Sequence, residues 1–254
     1  MASSSPQIGF DRFIAIEWAA AALKVRAELG TLDELNALLD AAGLGVAARK
    51  KTRTVLNRLW LAPHFELADF AERGVAIYKG DPSVPIAALT WGMAIATYPF
   101  FGKVAELVGR LSALQGDCAS AEIHRRMSET YGEREGTHRM TNMVLQSQAS
   151  WGAIERVEQG KRLVRMKPIV VSNEQAVAWL VEAALRYVGK PLSVPALSSL
   201  VVHYPFVLDQ PLVYLASKSP NLEVRSEGGG TQFVRLHPCF ARSSFGHESG
   251  GPAQ

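Results

Sequence analysis

The chain has 254 residues, 48% of them hydrophobic and 20% charged, with a formal net charge of +3. That is an ordinary globular composition, long enough to bury a core in one large domain or in two to three small ones. So weak a basic excess permits nucleic-acid binding without demanding it. Lys plus Arg against Asp plus Glu number 10 and 10 over residues 1–100, 11 and 8 over 101–171, and 6 and 6 over 172–254. The imbalance therefore falls within one segment. Cys118 and Cys239 lie far apart without CxxC spacing, which argues against a disulfide framework and a zinc centre.

In chain order, the Ala-rich run over 10–29 predicts a helix closed by Gly30. Thr31 with Glu34 three residues on is a capping box, opening a helix to about Ala42. A third helix is expected over Ala47–Leu61, stopped by Pro63, and a short fourth over 64–74. The loop Lys79–Pro85, with Gly80, Asp81 and two prolines, is the best boundary in the first half. Val84–Phe101 is an eighteen-residue stretch without charge, but Pro85, Gly92 and Pro99 interrupt it. A buried helix of about a dozen residues is the better reading than a membrane span. Met1–Pro6 lacks the basic and apolar pattern of a signal peptide, so a cytoplasmic location is expected.

Pro99 opens a helix to about Leu114, and Gln115-Gly116-Asp117 reads as a turn. Asp117 or Ser120 is expected to cap a helix to about Tyr131, and Thr137 to head another to about Ser150. Ile154–Val157 and Arg162–Met166 then alternate across Glu158-Gln159-Gly160, a β-hairpin pattern. Helix, helix, turn, helix and hairpin in about seventy residues is the layout of a winged helix-turn-helix. A second pass of similar type follows: a helix capped by Asn173, short helices over Pro195–His203 and Pro211–Ser217, and strands on either side of Gly228-Gly229-Gly230. The fold class expected is thus mainly α: an N-terminal helical bundle (1–80), a winged-helix unit with its preceding apolar helix (81–171) and a second winged-helix-like unit (172–237). Residues 238–254, rich in Ser and Gly, are expected to form a disordered tail.

A winged helix sets its third helix in the major groove and its hairpin over the neighbouring phosphates. Here that helix carries Arg134, Thr137, His138, Arg139, Asn142 and Gln146. Arg can pair bidentately with guanine, and Asn or Gln with adenine. The hairpin supplies Arg156, Lys161, Arg162, Arg165 and Lys167 for phosphates, with Arg125 and Arg126 on the preceding helix. A secondary basic patch comprises Arg49, Lys50, Lys51, Arg53 and Arg58, which more often in such helices is a solvated face. The second unit offers only Lys218 on its third helix, with Arg225 and Arg235 on its strands, and fits an interaction or dimerisation role better.

The sequence carries no P-loop, dinucleotide fingerprint, nucleophile elbow or HExxH, and its histidines are scattered. A non-catalytic protein without metal or cofactor is expected. The segments KKTRTVLNRLWLAP (50–63), YPFFGKVAELVGRL (98–111) and LQSQASWGAI (145–154) give an organisation that resembles the BrxA family of bacterial BREX phage-resistance systems. That resemblance implies an accessory protein that binds DNA and works with larger defence enzymes, without catalysis of its own; double-stranded DNA, other proteins of the same system and a second copy of the chain are the partners expected. The competing expectation is a protein–protein adaptor, in which Trp18, Trp60, Trp91 or Tyr214 would form an exposed apolar patch.

Overall fold

The computed structural model describes residues 9–227 and 231–237, among which are eleven α-helices and eight short strands. The protein is mainly helical. The helix predicted over 10–29 is shorter, α1 being Ile16–Arg26, and residues ahead of it form an extended strap. Long-range hydrogen bonds take the place of the missing turns. The Ile14 N–H donates to Ser147 Oγ at 2.9 Å, the Ile16 N–H to Ser150 Oγ at 3.0 Å, and Trp151 Nε1–H to the Ile14 carbonyl at 2.9 Å. Phe10 on this strap is fully buried, its ring against Tyr98, Phe101 and Trp151.

Helix α2 (Leu32–Ala41) opens on the expected capping box: Thr31 Oγ1 accepts from the Glu34 N–H at 3.2 Å, and Glu34 Oε2 from the Thr31 N–H at 2.7 Å. Helix α3 (Val46–Leu56) runs into a π-helical turn over Asn57–Leu61. The fourth helix, α4 (Ala68–Gly80), begins later and continues past the point where a loop was expected. Helix α5 (Ile86–Thr97) has the twelve residues its prolines allow and is buried along most of its length. Among the described residues no helix is long and apolar enough to cross a membrane.

Next come α6 (Pro99–Leu111), β1 (Asp117–Ala119), α7 (Ser120–Tyr131), α8 (Glu135–Ser150), β2 (Ile154–Val157) and β3 (Arg162–Arg165). The strands form one antiparallel sheet in the order β1-β3-β2. Strand β1 corrects the expected turn and cap: Asp117 pairs with Val164 in the ladder, and the residue at the N-cap of α7 is Ala119, without a side-chain cap. Strand β4 (Ile169–Val171) precedes α9 (Glu174–Val188), which Asn173 Oδ1 caps by accepting from the Ala176 N–H at 2.9 Å. Then follow β5 (Leu192–Ser193), α10 (Val194–Ser198), β6 (Phe206–Leu208), α11 (Leu212–Lys218), β7 (Leu222–Glu227) and β8 (Thr231–Leu236). β6 pairs in parallel with β4, and the last sheet has the order β5-β8-β7. Helix, strand, two helices and hairpin thus occur twice, the second time with β6 between the two helices, and each time the first strand lies on the outer side of the hairpin's second strand. The glycine turn at 228–230 and the tail expected from 238 lie outside the described residues.

One contiguous set of buried side chains runs from Phe10 to Leu215, with members on both sides of residue 80 and of residue 171. A smaller cluster of Val181, Leu185, Leu192, Leu197, Ala216, Leu222 and Val234 fills the second repeat. Of the four aromatics expected to form an adaptor's exposed patch, Trp18, Trp60 and Trp91 belong to the main core, and Tyr214 is about half exposed.

Candidate nucleic-acid interface

Helix α8 is amphipathic in the manner its spacing predicts. Thr137, Thr141, Val144, Leu145 and Gln148 are buried, whereas His138 and Arg139 are exposed and Asn142 and Gln146 partly so. Thr137, expected on the reading face, is fully buried instead. Its spacing of seven from Val144 places it on the core side. Arg134 stands at the N-cap and turns back, donating from Nη2 to the Tyr131 carbonyl at 3.0 Å. Arg139 makes no ion pair among the described residues.

Among the described residues one side-chain hydrogen bond joins the hairpin to this helix. Arg156 on β2 donates from Nη2 to Asn142 Oδ1 at 2.8 Å. Burial lowers the pKa of the Arg156 guanidinium from its ordinary value. Gly160 makes room for it: a Cβ there would lie 2.7 Å from Arg156 Nη2. The hairpin tip holds Glu158, Gln159 and Gly160 at φ of 52°, 58° and 84°, a left-handed run that only the glycine adopts without strain.

Two more of the expected phosphate contacts are engaged within the chain, Arg165 turned inward and Arg162 paired at the surface. Arg165 donates from Nε to Ser112 Oγ at 2.6 Å and from Nη2 to the Gly109 carbonyl, and its head lies 5.2 Å from the Tyr204 ring centroid. It clamps the end of α6, whose last carbonyls need donors. Arg162 is paired with Asp117 and, at 3.6 Å, with Glu158. Lys161 and Lys167 stay exposed without an ion pair among the described residues. Arg125 and Arg126, read as entry contacts, are spent on α7 itself. Their hydrogen bonds hold the Glu122 carboxyl down at about 2.

His124 on α7 stacks on His138 of α8, ring centroids 3.8 Å apart and planes at 14°. Burial, then His138 and Arg156, push the His124 pKa down to about 4. This pair was not anticipated, because it joins positions fourteen apart by sequence count on two helices.

Two of the five cations of the secondary patch are ion-paired among the described residues. Arg49 pairs with Asp40, Lys51 with Asp11 at 3.5 Å, and Arg53 donates to Asn36 Oδ1 at 2.9 Å. Lys50 and Arg58 remain exposed. In the second repeat Arg225 and Arg235 both bind Glu223, and Lys218 Nζ sits 4.3 Å over the Tyr214 ring. Among the described residues no group of three or more His, Cys, Asp or Glu is placed to hold a metal ion.

No protein-family model, curated protein or solved structure matches the chain.

Proposed function

We propose that residues 99–165 are a winged helix that binds double-stranded DNA without catalysing a reaction, α8 entering the major groove with the β2–β3 hairpin beside it. The observation that carries this reading is the order α6-β1-α7-α8-β2-β3 closed into a sheet of order β1-β3-β2, which leaves the polar face of α8 outward. Arg139, Asn142 and Gln146 are the base-reading candidates, with His138 at their edge. Lys161 and Lys167 are the phosphate contacts, since Arg162 and Arg165 are engaged within the chain. The second repeat, with Arg225 and Arg235 paired to Glu223 and a short apolar α11, serves contacts with protein. An accessory place beside larger defence proteins rests on the likeness in organisation to the BrxA family.

Binding of a labelled duplex of about thirty base pairs across a salt series tests this. The wild type should lose affinity steeply with salt, and Lys161→Ala/Lys167→Ala should flatten the slope by about two. Arg139→Ala should relax sequence preference instead. Absence of binding at about 50 mM salt would sink the proposal. The adaptor reading would then take its place, supported by Val170 and Val207, ladder partners that are both about half exposed.

A further inference from the structure

The Arg156–Asn142 hydrogen bond bears on which base the reading helix can recognise. Arginine has five N–H donors and no acceptor, so whatever side-chain oxygen it meets must accept. The contact from Arg156 Nη2 at 2.8 Å therefore assigns the near amide atom of Asn142 as Oδ1. The two amide hydrogens on Nδ2 remain free.

An asparagine that pairs bidentately with adenine needs both ends, Oδ1 to accept from the adenine amino group and Nδ2 to donate to N7. Here one lone pair of Oδ1 is already spent on a cation. The adjacent positive charge weakens the other as an acceptor and strengthens Nδ2–H as a donor. Guanine presents N7 and O6 in the major groove, two acceptors and no donor. From these facts, and resting on the DNA-binding reading above, we infer that Arg156 is a positioning residue that converts Asn142 from an adenine reader into a donor that selects guanine.

The guanidinium is held for this task. Arg156 sits in the β2–β3 ladder, its register partner being Leu163, so its backbone cannot drift from α8. Gly160 at the hairpin tip leaves its head the space it occupies, and any side chain there would displace it. Arg156 Nε is buried without a partner, so among the described residues the head's hydrogen bond is the one to Asn142 Oδ1. Arg162, four residues before Met166 on the same hairpin, has two carboxylates of its own and does not compete.

Selection from a randomised duplex pool, run on the full chain at one salt concentration, tests the inference. Asn142→Asp keeps an acceptor for Arg156 and removes the Nδ2 donor, so it should fold as the wild type does. The wild type should enrich guanine at one position that Arg139→Ala leaves enriched, and Asn142→Asp should lose that enrichment by about tenfold, the lower range for a base contact. Arg156→Met, where it folds, should move the preference at that position toward adenine. Enrichment of adenine by the wild type there, or a guanine preference at that same position that survives Asn142→Asp, overturns the inference while leaving DNA binding intact. Failure of the wild type to retain any duplex removes the DNA reading itself, and this inference with it.

Discussion

Arg73 on α4 lays its guanidinium across the carboxylate of Glu182 on α9, with Nη1–Oε2 at 2.6 Å and Nη2–Oε1 at 2.9 Å. Glu182 is 1% exposed, and Arg186 donates to it from one turn on, Nε to Oε1 at 2.9 Å. Both guanidinium heads lie over the Phe70 ring, at 5.7 and 5.1 Å from its centroid. Two cations thus share one buried anion at the contact between the N-terminal helices and the second repeat.

Removing that anion leaves Arg186 uncompensated in a partly dry site and Arg73 with only the exposed Asp69, 3.0 Å from its Nε. Glu182→Ala should destabilise the protein by about 3 kcal/mol. Arg73→Ala should cost less, because Arg186 still neutralises the carboxylate. Urea unfolding of the three proteins orders them, and equal midpoints for the two variants would mean that Arg186 does not share the load.

Helix α5 meets α9 at Gly92, where a methyl group would overlap the Trp179 ring. That ring cannot withdraw: its Nε1–H donates to the Phe70 carbonyl at 2.9 Å, and it stacks on Phe70 at 4.3 Å with planes 3° apart. Gly92→Ala should therefore cost upward of about 2 kcal/mol through overpacking. Gly43 stands in open space at φ 63°, so Gly43→Asn should leave the melting temperature nearly unchanged. A thermal melt of both variants makes the comparison, and a normal midpoint for Gly92→Ala would refute the close approach.

His203 is buried, and burial lowers its pKa to about 4, the same value as His124. Above about pH 6.5 both residues are neutral whether the chain is folded or not, and they leave stability unchanged. As pH falls from about 6.5 to about 4, the unfolded chain takes up protons that the folded chain refuses, so stability declines across that window. Urea midpoints at pH 7.5 and pH 5 should show the fall, and His203→Leu should reduce it. An undiminished fall in that variant would assign the loss to other groups.

Arg165 offers a test that separates structure from binding. Arg165→Ala leaves Ser112 Oγ and the Gly109 carbonyl without their donor and should lower stability by about 1–3 kcal/mol. The salt slope of DNA binding should stay as in the wild type. A flattened slope with normal stability would return Arg165 to the phosphate-contacting set.

Features that depend on neighbours within a few residues were legible in the sequence alone. Thr31 with Glu34, Asn173 ahead of α9, Gly189 at its end with φ 70°, and both strands of the 154–165 hairpin all follow from local backbone chemistry. The outward polar face of α8 was equally readable, because 3.6-residue periodicity sorts side chains before any partner is known. What a charged side chain does was not. Arg165 reaches Ser112 across 53 positions, and the strap at Ile14 reaches Ser147 across 133. Strand β1 exists only because β3 has a second edge for it, and β4 only because β6 comes to lie beside it. Composition fixes how many cations the chain carries. Only the packed structure, by bringing acceptors such as Asn142, Asp117 and the end of α6 within hydrogen-bond distance, decides which of them remain free to meet a partner.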